Sequence, residues 1–196
     1  MTLLRTVTLA YNVRGGIKEV GNYIVLDNPN KALKWYDNAF NLLRTVTLAY
    51  VPHGMTKENG NYIVVDYTNK ELKWYDNAFT LLRTVTLAYS PYGITKEDGN
   101  YIVLDKDNRK LFWYDNAFTL LRTVTLAFGP HGLTKEDGNY IVVDYDNKKL
   151  YWYDNAFTLL RTILLGFGAV IAPKENGNYI INDYVNKGLK WYDNQF

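Results

Sequence analysis

Few residues in this chain are equipped for chemistry. His53 and His131 are its only histidines, and cysteine is absent, so thiolate catalysis and cysteine-bound zinc are excluded. No Gly-x-Ser-x-Gly occurs, which removes the exposed nucleophile of a serine hydrolase. A neutral imidazole can accept a proton or ligate a metal. Carboxylates are plentiful but come in matched sets, such as Asp27, Asp66, Asp105, Asp144 and Asp183. General acid–base work needs two groups whose surroundings drive their pKa values apart, and repetition works against that.

The matched sets reflect a repeat. Leu-Leu-Arg-Thr begins at Leu3, Leu42, Leu81, Leu120 and Leu159, every 39 residues, and the five repeats fill almost the whole 196-residue chain. The units span residues 3–41, 42–80, 81–119, 120–158 and 159–196. A fixed period of this size marks a solenoid, a propeller or an array.

The fourth unit shows what one repeat builds. Gly132 to Glu136 is a short extended segment, and Asp137-Gly138 is a hairpin signal, because both turn positions want positive φ. Asn139 to Asp144 is apolar on both faces, as a strand packed between sheets would be. A turn with Asp and Asn then leads to the aromatic strand Lys149 to Asp154. A last turn leads to Leu159 to Leu165, whose counterparts carry threonines and one arginine, as suits an outer edge in water. No stretch has helical spacing. The pattern predicts an all-β protein, a five-bladed propeller of four-stranded antiparallel blades. The chain opens with a fourth-strand sequence and ends with a third-strand one, so residues 3–10 are expected to pair with 188–193 and close a monomeric ring.

The run Pro130-His-Gly-Leu-Thr-Lys-Glu-Asp-Gly-Asn-Tyr-Ile-Val-Val-Asp144, followed by Asn147-Lys-Lys-Leu and Tyr153-Asp154, resembles the NHL and YVTN classes of propeller repeat. The Pro-x-Gly opening is intact at Pro52, Pro91 and Pro130 only. The resemblance implies a platform for proteins, RNA or sugars, and in some members a lyase or hydrolase. In lyases of that class, histidines from such opening loops ligate zinc, which makes His53 and His131 the metal candidates here.

Comparison among the repeats locates variation in the loop that opens each first strand. There Arg14, His53, Tyr92, His131 and Val170 occupy equivalent positions, and they are expected to ring the mouth of the central channel as a ligand site. Zinc asks for three or four ligands, so no metal site is predicted and no cofactor is implied. Trp35, Trp74, Trp113, Trp152 and Trp191 read as core between blades rather than sugar platforms. The five aspartates read as turn caps rather than calcium ligands. Lys18, Lys57, Lys96, Lys135 and Lys174, each followed by Glu, read as solvated hairpins.

The functional expectation is a non-catalytic scaffold or binding module, and the near-identity of repeats two to four suggests recent amplification or engineering by repetition. A multivalent lectin with one sugar site per blade is the alternative, and a metal-dependent enzyme at the channel mouth the third reading. A net charge of +2 with interspersed signs gives no footprint for nucleic acid. The partner is unknown from the sequence, with a protein or a carbohydrate ligand left open. No long apolar run and no leader-like segment is seen, so a soluble chain off the membrane is expected, with its compartment open.

Overall fold

The computed structural model describes residues 2–19, 21–171 and 178–193. Leu3–Thr8 forms β1. Blade one is β2 (Val13–Glu19), β3 (Asn22–Asp27), β4 (Ala32–Asp37) and β5 (Leu42–Thr47). Blade two is β6 (Pro52–Glu58), β7 (Asn61–Asp66), β8 (Glu71–Tyr75) and β9 (Leu81–Thr86). Blade three is β10 (Gly93–Glu97), β11 (Asn100–Asp105), β12 (Lys110–Tyr114) and β13 (Leu120–Thr125). Blade four is β14 (Gly132–Glu136), β15 (Asn139–Asp144), β16 (Lys149–Tyr153) and β17 (Leu159–Leu164). Blade five is β18 (Ala169–Ile171), β19 (Tyr179–Asp183) and β20 (Gly188–Tyr192), completed by β1. The protein is an all-β, five-bladed propeller of four-stranded antiparallel blades.

Local chemistry explains the blade. The two-residue turns Asn59-Gly60, Asp98-Gly99 and Asp137-Gly138 have positive φ at both positions, which matches the right-handed twist of the strands they join. At the next turn each aspartate of the fivefold set caps the chain: Asp66 Oδ1 accepts the Asn69 N–H at 3.1 Å, and Oδ2 accepts the Asn69 side-chain amide at 2.8 Å. In blades one, two and five a lysine (Lys34, Lys73, Lys190) adds an ion pair to that buried carboxylate at 2.6–2.7 Å. At the third turn Phe40, Phe79, Phe118 and Phe157 take left-handed φ values of 64–69°. Ring packing offsets this strain: Phe79 stacks on Tyr62 and Tyr75 and meets the edge of Trp35 in the preceding blade.

The core lies between blades. One cluster joins Ile24, Leu26, Leu33 and Trp35 of blade one to Met55, Tyr62 and Val64 of blade two, and the others follow the same scheme around the ring. All five tryptophans are buried, which leaves no exposed indole per blade to stack on a sugar. The arginine of each outer strand does more than solvate an edge. Arg44 lies 5.0 Å from the Trp35 ring centroid and donates to the carbonyl oxygens of Asn77 and Ala78 in the next blade, at 2.9 and 3.3 Å. Arg5 makes the corresponding reach from β1 to Asn38, so the closing strand is fastened to both neighbours.

A mouth lined by imidazoles, a tyrosine and an arginine

The first strand of each blade runs along the channel, and its opening loop stands at one end. This end also carries the turn between the second and third strands, because Pro52 pairs with Asp66 and Val13 with Asp27. The channel encloses a cavity of about 300 Å³, lined by Arg14, His53, His131, Val170 and the glycines between them. Its wall is tight. A Cβ on Gly54 would stand 2.8 Å from the Gly93 Cα, so Gly54 is what lets the first strands of blades two and three come together.

Four of the five expected mouth residues meet. Tyr92 is the hub: its ring centroid lies 5.5 Å from His53 and 5.1 Å from His131, with edge-to-face geometry in both. Arg14 reaches across from blade one to blade three, and its Nη1 donates to the Tyr92 hydroxyl at 2.5 Å. Val170 lines the same cavity but is buried and apolar, and supplies wall rather than chemistry. The remainder of its loop, residues 172 and 173, lies outside the described residues, as does Lys174.

Both imidazoles are held alike. His53 Nδ1 lies 3.1 Å from the Val51 carbonyl oxygen and His131 Nδ1 lies 3.0 Å from that of Gly129. A carbonyl only accepts, so in a neutral ring Nδ1 carries the proton and Nε2 keeps its lone pair. Burial, and then the nearby Arg14, push the His53 pKa down to about 4. Burial and then Lys106 push that of His131 down to about 4, against the opposing pull of Asp146. Burial raises the Tyr92 hydroxyl to about 12, so it keeps its proton at neutral pH. The mouth therefore presents two neutral bases on either side of a phenol fixed by a guanidinium.

A second tier was not anticipated from the sequence. Tyr67 stacks on His53 at 4.9 Å, and Tyr145 lies 5.1 Å from His131. Lys106 Nζ sits 5.3 Å from the Tyr92 centroid, and the Tyr184 ring lies 5.3 Å from the Arg14 Cζ. These four residues directly follow the turn aspartates Asp66, Asp105, Asp144 and Asp183, where blade one has Asn28. The position differs among repeats, so the same comparison would have found it.

The donor set does not suit zinc. No three His, Asp or Glu side chains gather in a metal-binding group among the described residues, and the ring between the imidazoles is a phenol hydrogen-bonded to arginine. The other end of the channel differs from the expected solvated hairpins. Lys57 pairs with Glu19, Lys96 with Glu58 and Lys135 with Glu97, each joining one blade to its predecessor. Successive strand residues point to opposite faces, so each Lys meets the glutamate of the neighbouring blade and not the one beside it in sequence. Among the described residues no helix is long and apolar enough to cross a membrane.

No protein-family model and no curated protein matches the chain. Solved structures do match. A Myxococcus xanthus glutaminyl cyclase superposes with a TM-score of 0.82 at 14% identity, over 97% of this chain and 94% of its own. A streptogramin B lyase gives 0.61 at 12% identity, over 98% and 87%. A virginiamycin B lyase from Staphylococcus aureus gives 0.57 at 14% identity, over 92% and 69%. At such identities the likeness is one of fold, and it agrees with a propeller of NHL-like repeats. It also corrects the expectation of a non-catalytic scaffold: the frame taken there to be inert is, in these neighbours, the frame of a cyclase and of lyases.

Proposed function

We propose that the channel mouth is the active site of an enzyme that moves protons on a small polar substrate, in a cyclisation or an elimination. The observation that carries this reading is the pair of neutral imidazoles, each with a free Nε2, set on either side of the Tyr92–Arg14 hydrogen bond above a 300 Å³ cavity. Both reactions need one group to take a proton from a nucleophile or a carbon, and one to return a proton to the leaving group. One imidazole takes it. The Tyr92 hydroxyl already accepts from Arg14, which leaves its own proton free to donate to a substrate oxygen. The names of the structural neighbours, a cyclase and lyases, favour the same classes by analogy of fold.

The test is turnover. Cyclisation of glutaminyl peptides and lyase cleavage of virginiamycin B, taken from the names of the structural neighbours, are measured for the wild type and for His53→Ala/His131→Ala. Turnover of one class is expected, with a loss of about 100-fold or more in the double variant. No rate above background on either class, or turnover that survives both substitutions, overturns the assignment.

A further inference from the structure

The charges at the mouth carry the reading further. Arg14 uses Nη1 on Tyr92, while its Nε–H is withdrawn from solvent and has no acceptor. Among the described residues no protein group engages Nη2 either. The guanidinium stands between two rings, 5.5 Å from the Tyr92 centroid and 5.3 Å from that of Tyr184. Its unused edge, Nε with Nη2, is the edge that presents two parallel N–H groups, the fork that fits a carboxylate. Lys106 Nζ lies 5.3 Å from the centroid of the same Tyr92 ring.

Neither cation has a carboxylate in ion-pair range among the described residues. The local carboxylates are turned elsewhere. Asp66 is paired with Lys73 at 2.7 Å, and Asp107 accepts from the Tyr67 hydroxyl at 2.6 Å. Asp146 lies on the blade-four side near His131, and no ion pair joins it to a cation among the described residues. At the opposite end of the channel, by contrast, Lys57, Lys96 and Lys135 each have a glutamate. Among the described residues, Arg14 and Lys106 stand at the mouth without a carboxylate partner, while the neighbouring turn carboxylates Asp105 and Asp144 are held by the side-chain amides of Asn108 and Asn147.

Resting on the proton-transfer reading above, we infer that the substrate is a small carboxylate, and that Arg14, supported by Lys106, receives its carboxylate group. The rest of such a molecule then lies in the cavity beneath, between Ile17, Met55, Ile94 and Leu133. Docking also changes the bases. The positive charges of Arg14 and Lys106 add to burial in holding both imidazoles at low pKa, while Asp66 and Asp146 oppose them. A bound carboxylate offsets the two cations and lifts the basicity of the imidazoles, so the bases strengthen when the substrate arrives.

The experiment is a titration of the two imidazole ring signals by nuclear magnetic resonance with small probes. These are N-acetylglycine, N-acetyl-L-alanine and succinate, with N-acetylglycine methylamide as the neutral counterpart and inorganic phosphate as the competing anion. At least one carboxylate is expected to bind and to raise the imidazole pKa values by about one unit. Arg14→Gln weakens this binding about tenfold or more, Lys106→Gln a few-fold, and Arg14→Lys retains a weaker form, with unchanged melting temperatures as the folding control. Equal binding of the methylamide, tighter binding of phosphate, indifference to Arg14→Gln, or no binding of any carboxylate overturns the inference. Carboxylate binding without turnover in the earlier assay upholds it and removes the reaction. Turnover of substrates lacking a carboxylate, unaffected by Arg14→Gln, does the reverse.

Discussion

The two ends of the channel are made from the same five strands and differ in everything else. Only about 13 Å separates Arg14 from Lys18 along β2, four residues at ~3.3 Å each. At the Lys18 end the repeats carry the same residues, and the described Lys–Glu pairs join blade to blade. At the Arg14 end the repeats carry Arg14, His53, Tyr92, His131 and Val170, and among the described residues Arg14 and Lys106 have no carboxylate in ion-pair range. Sameness serves the ring, and difference is confined to the end where the site is proposed. A propeller can vary one end because the opening loops rest on strands held by the inter-blade core.

Three measurements test that contrast. The largest effect is expected in the wall between the ends, where Gly54→Ala drives a Cβ to 2.8 Å from the Gly93 Cα. Backbone on both sides cannot yield, and a loss of about 2–4 kcal/mol in chemical unfolding is expected. A loss below about 0.5 kcal/mol would show the wall to be compliant.

Next comes pH. Each imidazole has a folded pKa of about 4, below the ~6.5 of an unfolded chain. The unfolded chain therefore binds more protons between those values, and stability is full above about 6.5 and declines as the pH falls towards 4. The decline is about 1–2 kcal/mol per histidine after discounting for solvent contact, read by urea unfolding at pH 7 and 4.5. The curve should flatten in His53→Phe/His131→Phe, and an unchanged slope would place both rings in water.

The smallest effect belongs to the repeated end. Glu58 pairs with Lys96 and accepts from the Tyr101 hydroxyl at 2.5 Å, so Glu58→Gln is expected to cost about 1 kcal/mol, less in high salt. The turnover proposed for the mouth should stay within about twofold of wild type. A large loss of turnover would mean that the two ends are coupled.

The architecture was legible because each signal recurs five times and each has a local cause. The Asp-Gly turns, the apolar second strand and the Leu-Leu-Arg-Thr outer strand set the blade without long-range information. Contacts between blades were less legible. Lys57 and Glu58 adjoin in the sequence and read as a self-cancelling pair, yet alternation sends them to different neighbours. The outer-strand arginine read as a solvated edge group, yet it covers a tryptophan and ties down the next blade's turn. At the mouth, comparison of repeats identified the opening-loop residues. It stopped short of Tyr67, Lys106, Tyr145 and Tyr184, because that position is tyrosine in three of the five repeats and follows a constant aspartate that reads as a turn cap. The expectation of an inert scaffold failed for a different reason: repetition describes how the frame is built, and a frame does not determine what its loops do.

The closing strand has a consequence for how the chain finds its structure. β1, β5, β9 and β13 have one identical sequence, Leu-Leu-Arg-Thr-Val-Thr. No side chain within the strand distinguishes β1, which must find β20, from the three that pair within their own blade. During refolding, four interchangeable strands compete for each vacant third strand, and only the connecting loops favour the right match. At high concentration the vacancy beside β20 can be filled from another molecule. Refolding yield should therefore depend on dilution, although the finished ring shows no trace of the ambiguity.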